Sequence, residues 1–489
     1  MATYYISHSL GSDSNSGSAQ ASPWQRHPYM QGFAGKYSHA AGDKFVFRCG
    51  DSWPNACFMM NVQNGGAAGN PDIYTFDPTW GTPGGVLGNA GQVVGAFQFN
   101  AGGTPITGGG VNKFIYSNGN NNTQYNGIEF VGMAWTGTGG SYGNVQMIDI
   151  QSSTNVIISN CYVHGWTHAG ATSDVLSCFV GHAASPYNAG SRVTGCVFDG
   201  INSGGAGVSD SGGAVYAIPL LDNNIARNMT NGMLTGANAV VYNNLVYNIN
   251  KSFDASVHEN CIEPIVMIPG GTSTNYIFNN VWHDCTAVGL LTQGAAASSG
   301  IEIDYIWNNV AYIGTLPNPP IPFQFDSVST TNSKCEIHAW NNTVVGGAGT
   351  CMRTVSRGNG NFGVLDIQNN HCISNVAAPT GIISLGVTGN TYTNLNNVLQ
   401  TLAVATAQGY TPSEPFAYSP TAGGATISAG LNLTALAAGA TISLLQDTTF
   451  GGSRATKPRP ASGAWDAGAY EFVVGTKPTP PTNLTITVI

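Results

Sequence analysis

The polar residues best suited to chemistry are gathered in residues 254–264, which read Asp-Ala-Ser-Val-His-Glu-Asn-Cys-Ile-Glu-Pro. Successive side chains of a strand face opposite sides, so Glu259 and Glu263 share one face and His258 the other. With Ile262 in a core, both glutamates point outwards. Four residues of strand separate them by roughly 13 Å, too far for a hydrolytic pair. A partner carboxylate must therefore come from another strand.

Stacked strands supply the required spacing, because neighbouring strands of a sheet lie ~4.8 Å apart. Carboxylates one strand apart are separated by about 5 Å and those two strands apart by about 9–10 Å, near the spacings of retaining and inverting glycosidases. The aspartates within this reach are Asp210, Asp222 and Asp284, with Asp174 and Asp199 as weaker candidates. We expect a glycosidase-type pair of Glu259 or Glu263 with one of these aspartates, and His258 is a further catalytic candidate.

A structural role explains several of the same residues. Aspartate at a sharp corner often accepts a hydrogen bond from the backbone two residues on, which accounts for Asp199, Asp222 and Asp284 without chemistry. His258 and His283 fit equally well as core or corner histidines. Both interpretations stay open on the sequence alone.

Aromatic residues suggest a binding surface. Trp282, Trp307 and Trp340 each stand beside an Asn pair in successive repeats, so they can align into a stripe on which sugar rings stack. Stacking of the rings against one another in a core is the alternative. We take the three tryptophans as substrate-binding candidates.

Other mechanisms fit the sequence less well. A lyase acting on a polyuronide needs a cation or bound Ca²⁺ to neutralise the substrate carboxylate, and the basic residues between positions 114 and 333 are Arg192, Arg227 and Lys251. No Asp run resembles a Ca²⁺ site, and no Gly-Lys-Ser/Thr motif is present. The sequence therefore predicts no metal site and no cofactor.

A recurring phrase places these residues in a fold. Strand-like apolar residues run into an asparagine, usually the second of a pair, and then into another strand; the anchoring asparagines are Asn160, Asn244, Asn280, Asn309, Asn342 and Asn370. The irregular steps suit one solenoid coil with variable loops, and Asn suits a tight left-handed corner where side-chain amides of successive coils can bond one another. We predict an all-β, single-stranded, right-handed parallel β-helix with capping ends. Residues 150–375 should form at least six coils with the asparagines at one corner.

Both ends of the chain resemble one known family. The opening reads Tyr-Tyr-Ile-Ser-His-Ser-Leu-Gly-Ser-Asp from position 4, then Ser-Pro-Trp, then Gly-Asp-Lys-Phe-Val-Phe-Arg-Cys-Gly from position 42, with Ala41 where Pro is usual. Near the other end, residues 465–472 read Trp-Asp-Ala-Gly-Ala-Tyr-Glu-Phe and form a closing motif. These motifs resemble the pectate-lyase-like β-helix superfamily, which includes phage tailspikes. The resemblance implies the fold and not the activity, since that superfamily holds lyases, hydrolases, epimerases and adhesins.

Four regions follow from this organisation. Residues 1–60 are expected to form an N-terminal cap and first coil, residues 61–375 the β-helix coils, and residues 376–475 the final coils and a C-terminal cap. Residues 476–489 read as a Pro-rich linker and one extension strand, which lacks an evident partner within the chain.

Composition limits the partners. Only 8% of the residues are charged and the net charge is −9, so the chain has no basic patch for nucleic acid or an anionic membrane. It has no apolar stretch long enough to cross a membrane as a helix, and no signal peptide follows Met1. We expect an extracellular or virion protein, either a mature form with an added Met or one released without a classical signal.

The ten cysteines are expected to be mostly buried free thiols, because Cys161, Cys196, Cys261, Cys285 and Cys372 lie in or beside apolar strands. Cys49 with Cys57 and Cys335 with Cys351 are the pairs best placed for disulfides.

The sequence thus predicts a protein that binds, and cleaves, a polysaccharide. A non-catalytic phage fibre, adhesin or capsid-decoration protein is the second interpretation, and a polysaccharide lyase the third. The few charges and the partnerless strand at residues 484–489 favour a homo-oligomer, most simply a trimer, attached to a virion or cell surface.

Overall fold

The computed structural model describes most of the chain: residues 1–89, 91–104, 106, 112–135, 144–168, 175–181, 187–200, 213–249, 260–266, 268–286, 288–293, 300–312, 321–327, 334–346, 349–356, 362–387, 389–412, 417–434 and 459–472. Among these, short strands pair in parallel with the equivalent strand of the next coil. The result is a right-handed parallel β-helix, as predicted.

Each coil runs through up to three strands, which build three sheets, and the chain enters them in the order sheet 1, sheet 2, sheet 3. The strands of sheet 1 are Thr3–Ile6, Lys44–Cys49, Asp72–Gly81, Thr123–Asn126, Ile157–Ser159, Arg192–Thr194, Gly213–Asp222, Asn231–Tyr242, Thr272–Phe278, Ile301–Trp307, Lys334–Trp340, Phe362–Gln368 and Gly389–Leu395. Eight of these strands begin between residues 150 and 375, which confirms the expected number of coils.

The strands of sheet 2 are Ser52–Pro54, Phe97–Thr104, Ile128–Trp135, Tyr162–His164, Val197–Asp199, Ile225–Met229, Leu245–Ile249, Val281–Cys285, Val310–Tyr312, Thr343–Val345, His371–Ser374 and Val398–Thr401. A short strand, Thr167–His168, pairs with the end of Ile128–Trp135.

The separate strands of sheet 3 are Met60–Asn61, Asn112–Tyr116, Asn144–Asp149, Val175–Val180, Asn260–Pro264, Val288–Gln293, Ile321–Ser327, Met352–Ser356 and Ile383–Leu385. Between Val175–Val180 and Asn260–Pro264, the two long strands Gly213–Asp222 and Asn231–Tyr242 run through the bend from sheet 3 into sheet 1. Hydrogen bonding is therefore continuous between these two sheets.

The other described elements are small. Val86–Leu87 and Val93–Val94 form an antiparallel hairpin, and Asn55–Cys57 is a single 3-10 turn. Helix α1, Leu402–Ala407, follows the last strand of sheet 2, and the Thr401 hydroxyl caps it by accepting the Val404 amide hydrogen. None of the helices in the described part of the chain is long and apolar enough to cross a membrane.

The corner between sheets 1 and 2 is made by pairs of adjacent asparagines. The first residue of each pair is in the left-handed region, with φ between 52° and 57° at Asn223, Asn243, Asn279, Asn308, Asn341, Asn369 and Asn396. Asparagine tolerates this conformation better than other non-glycine residues. The second asparagine of each pair points into the interior, where the side chains stack along the axis.

These interior asparagines form a hydrogen-bonded ladder. The Oδ1 atom of each accepts both the backbone N–H and the Nδ2 of the asparagine in the preceding coil, at 2.8–3.1 Å, from Asn224 through Asn244, Asn280, Asn309, Asn342 and Asn370 to Asn397. Each Nδ2 also donates to a backbone carbonyl oxygen of the preceding coil, such as Ile277 for Asn309. The expected corner is confirmed and extends one rung further at each end.

One predicted member is out of register. Asn160 has a φ of 51° and occupies the first, left-handed position, and its Nδ2 donates to Asn126. Cys161 and Cys196 stand in the ladder column instead, and the Cys161 amide donates to the Cys196 sulfur at 3.4 Å. A thiol thus replaces the amide in the earlier coils.

The closing motif covers the outside of this corner. Trp465 and Leu433 pack on Phe278, Trp307 and Trp340. The buried Arg459 guanidinium donates to the Asn308 side chain at 2.9 Å and to Glu471 at 2.7 Å. The carboxyl-terminal part of the described chain therefore seals the corner from the side.

The disulfide pairing of the cysteines differs from the predicted one. Cys261 and Cys285 are joined by a disulfide with Cα atoms 6.5 Å apart. They were expected to be free, but the bend between sheets 2 and 3 brings the two strands together. Cys49, Cys57, Cys335 and Cys351 are free and buried, so neither expected pair forms.

Replacing Asn309 with Ala should lower the free energy of unfolding by roughly 2–4 kcal/mol, because the Asn280 donors and the Ile277 carbonyl lose buried partners. Chemical denaturation measures this change. Asn118→Ala is the control, since Asn118 is exposed and should cost under about 0.5 kcal/mol. Equal effects of the two substitutions would contradict a stabilising ladder.

Thiol titration of the unfolded protein should find eight reactive cysteines without reductant and ten with it, because only Cys261 and Cys285 are bonded. Mass spectrometry after alkylation identifies the two protected residues. Ten reactive thiols without reductant would show that the disulfide does not form.

Candidate functional site

Asp222 has a structural environment. It ends a sheet 1 strand, is fully buried, and accepts hydrogen bonds from Nε and Nη2 of Arg192 at 2.5 and 2.6 Å. Thr194 and Asn223 donate to the same carboxylate. These four donors occupy the carboxylate, so it forms a corner ion pair with Arg192 rather than facing a substrate.

Asp284 lies on the outside of sheet 2, at the end of Val281–Cys285. Its φ of 56° continues a column of left-handed residues with Asn228 and Asn248, and its carboxylate contacts the Nδ1 atom of His283 at 2.7 Å. About 15% of each side chain is exposed. This pair remains reachable from solvent, although its place in the column also fits a corner role.

A polar column runs beside it along the outer face of sheet 2. In register, one residue per coil, it contains His164, Asp199, Arg227, Tyr247, His283 and Tyr312. Arg227 pairs with Asp199 at 2.6 Å and donates to the Tyr247 hydroxyl, and the His283 ring stacks between two tyrosines at 4.9 and 4.7 Å. Asp199 is thus an ion-pair partner, while His164 contacts Glu129 at 2.7 Å.

Glu263 lies on the outer face of sheet 3. Ile262 points into the core, as expected, and Glu263 points the other way, next to Leu234 of the preceding coil. It is 6% exposed, and Asn260 Nδ2 donates to its carboxylate at 2.7 Å. Among the residues that the structure describes, none donates a hydrogen bond to the buried Asn260 Oδ1 atom.

Two coils further on, the same face carries a polar row that sequence reasoning missed. Coil register places Leu291, Gln324 and Arg353 in line with Glu263, and Asp326 lies two residues beyond Gln324 on the same side. Arg353 Nε donates to Gln324 Oε1 at 2.5 Å, and Gln324 Nε2 donates to Asp326 at 2.6 Å. The Arg353 contact therefore orients the amide so that its donor faces the Asp326 carboxylate.

The remaining catalytic candidates, Asp210, His258 and Glu259, lie outside the described residues, as does the weaker candidate Asp174. In the chain, residues 201–212 and 250–259 each connect a sheet 2 strand with the next described strand, which begins in sheet 3. Glu263 is the one glutamate of residues 254–264 whose surroundings the structure describes.

The tryptophans do not form an open binding stripe. Trp282 is 1% exposed inside the solenoid, and Trp307 and Trp340 are 2% and 4% exposed beneath the closing motif. Phe278 stacks on Trp307 with centroids 4.4 Å apart. Rings stacked along the axis cover one another's faces, so the alternative of aromatic stacking describes these three residues.

The described residues contain one group that could hold a metal ion. Glu302, Asp304 and Cys335 come together inside the solenoid, with potential ligand atoms within 4.8 Å of one another. The sequence prediction of no metal site did not consider this group. Its members point inwards because they alternate with the outward residues of their strands.

Comparison with known proteins supports the fold. A lacto-N-biosidase of family GH136 from Eubacterium ramulus superposes with a TM-score of 0.51 at 11% identity, covering 82% of this chain and 68% of that one. A rhamnogalacturonan lyase gives 0.44 at 14% identity, covering 81% and 87%, and pectate lyase Pel9A gives 0.44 at 12%, covering 96% of both chains. No protein-family model and no curated protein matches the sequence. Likeness at such low identity shows the architecture alone.

Proposed function

We propose that the protein binds a neutral or weakly charged polysaccharide along the outer face of sheet 3 and hydrolyses it with Glu263 and Asp326. The observation that carries this proposal is a pair of buried carboxylates on the outward side of sheet 3, 6% exposed at Glu263 and 0% at Asp326, each accepting a hydrogen bond from a side-chain amide. Solved β-helices of similar fold include a lacto-N-biosidase, which fits an activity on glycans.

The spacing of the two residues suits an inverting hydrolase. Two coils at ~4.8 Å and two residues at ~3.3 Å put their Cα atoms roughly 12 Å apart. Side chains that lean towards each other then bring the carboxyl groups near the roughly 6.5–9.5 Å that leaves room for a water molecule. One carboxylic acid would protonate the glycosidic oxygen while the other carboxylate activates that water.

The neighbouring groups fit sugar recognition. Arg353 is partly exposed beside Gln324 and can donate to sugar hydroxyls. Leu234 and Leu291 flank Glu263 with apolar surface, which excludes water from the reacting bond.

A lyase is the second candidate, and Arg353 is the observation in its favour. Its guanidinium lies on the same outer face, one coil from Gln324, where it could neutralise the carboxylate of a uronic acid. The sequence argument against a lyase considered only the cations before residue 333. With Arg353 in place, the two mechanisms differ in the product that they release.

The extracellular or virion setting and the trimer stay part of the proposal. Their support is the small number of charges and the unassigned extension strand, whose residues lie outside the described part of the chain.

The test is a panel of neutral and acidic polysaccharides assayed for new reducing ends and for the ultraviolet absorbance of unsaturated sugars. Glu263→Gln and Asp326→Asn should each lower hydrolysis by roughly 10²–10⁴-fold with unchanged thermal unfolding. Glu336→Gln on the outside of sheet 1 is the matched control and should retain activity.

Unsaturated products that disappear in Arg353→Gln would favour the lyase instead. Full activity in both Glu263→Gln and Asp326→Asn would place the reaction elsewhere, and no cleavage of any glycan would favour a binding protein without catalysis.

A further inference from the structure

The interior of the solenoid contains a buried polar cluster formed by Glu302, Asp304 and Cys335. Glu302 and Asp304 point inwards from Ile301–Trp307, on the same side as the core residue Ile306. The next coil places Cys335 in register with Glu302, and the preceding coil places Asn275 in register with Asp304. Three consecutive coils therefore contribute to one buried cluster.

The two carboxylates are incompletely satisfied. Asn275 Nδ2 donates to Asp304 Oδ1 at 2.8 Å and approaches Glu302 Oε1 at 3.5 Å, and the Cys335 sulfur is 4.0 Å from Glu302 Oε2. Within the described residues, the buried Asp304 Oδ2 atom has no hydrogen-bond partner. Glu302 and Asp304 are 1% and 0% exposed.

No cation compensates these charges within the described residues, where neither carboxylate takes part in an ion pair. Burying two carboxylates without a cation is unfavourable, and a bound divalent ion would supply the missing positive charge.

We propose that Glu302, Asp304 and Cys335 bind a divalent transition-metal ion of the Zn²⁺ type inside the solenoid. Carboxylate oxygens and a thiolate are zinc ligands, and the thiolate disfavours Ca²⁺ and Mg²⁺, which take oxygen ligands. The ligand atoms lie within 4.8 Å of one another, so small side-chain rotations suffice to bring them onto one ion.

Asn275 would hold the site from outside the ligand set. Its Oδ1 accepts the Ala239 amide hydrogen at 2.9 Å, which fixes the amide so that Nδ2 faces the carboxylates. Partners of this kind orient metal ligands in many proteins. Because the cluster is closed to solvent, the ion must enter as the coils form, and its binding contributes to folding.

The experiment measures the metal content of the full chain purified after expression with added Zn²⁺. We expect close to one zinc per chain in the wild type and less than a tenth of that in Cys335→Ser and in Glu302→Gln. Cys372→Ser is the matched control, since Cys372 is also a buried thiol but lies on sheet 2 outside the cluster. Growth with Co²⁺ should add a thiolate-to-cobalt absorption band that Cys335→Ser lacks.

Wild-type protein without stoichiometric metal, and without the cobalt band after refolding with Co²⁺, would overturn the proposal. So would zinc retained in both cluster variants. If Cys335→Ser does not fold, Glu302→Gln alone decides. A metal-free protein made more heat-stable by Glu302→Gln would mean that the carboxyl groups are protonated and share hydrogen bonds instead.

Discussion

The asparagine ladder is the interaction on which the rest of the structure depends. Each rung joins two coils through three side-chain or backbone donors, and it lies at a corner that is two residues long in every coil from Asn223 to Asn397. A slip of one residue would turn every interior side chain outwards. Buried amides that bond only to the same position of the next coil make such a slip costly.

Because the register between coils is fixed, equivalent residues of successive coils line up in columns along the axis. On sheet 1 the column is aromatic, on sheet 2 it alternates Asp199, Arg227, Tyr247 and His283, and on sheet 3 it holds Glu263, Gln324 and Arg353. Two of the few cations pair with an aspartate of a neighbouring coil, Arg192 with Asp222 and Arg227 with Asp199. On sheet 3, the Asn260 amide donates to Glu263 and the Gln324 amide donates to Asp326.

Sequence patterns predicted the fold because periodicity and corner chemistry are local. The Asn pairs, the alternation around Ile262 and the outward direction of Glu263 all follow from neighbouring residues. The Asn pair that begins at Asn223 was not predicted to belong to this corner, because an aspartate precedes it. Asn160 was assigned to the ladder, but the neighbouring Cys161 occupies that position.

The candidate site depends on register between coils, which the sequence does not contain. Asp326 is the one carboxylate in the strand Ile321–Ser327, and the stacking of coils brings it to the same face as Glu263. Burial of Trp307 and Trp340 depends on the closing motif folding back over them, which the sequence does not show. The inward direction of Glu302 and Asp304, by contrast, was available from their alternation with Tyr305 and could have been predicted.

The most direct test of the central claim is a crystal structure of the Glu263→Gln variant with an oligosaccharide of a polysaccharide that the protein binds. The account predicts sugar density along the outer face of sheet 3, within hydrogen-bond distance of residue 263 and Asp326; density confined to the outer faces of sheets 1 or 2 would contradict it.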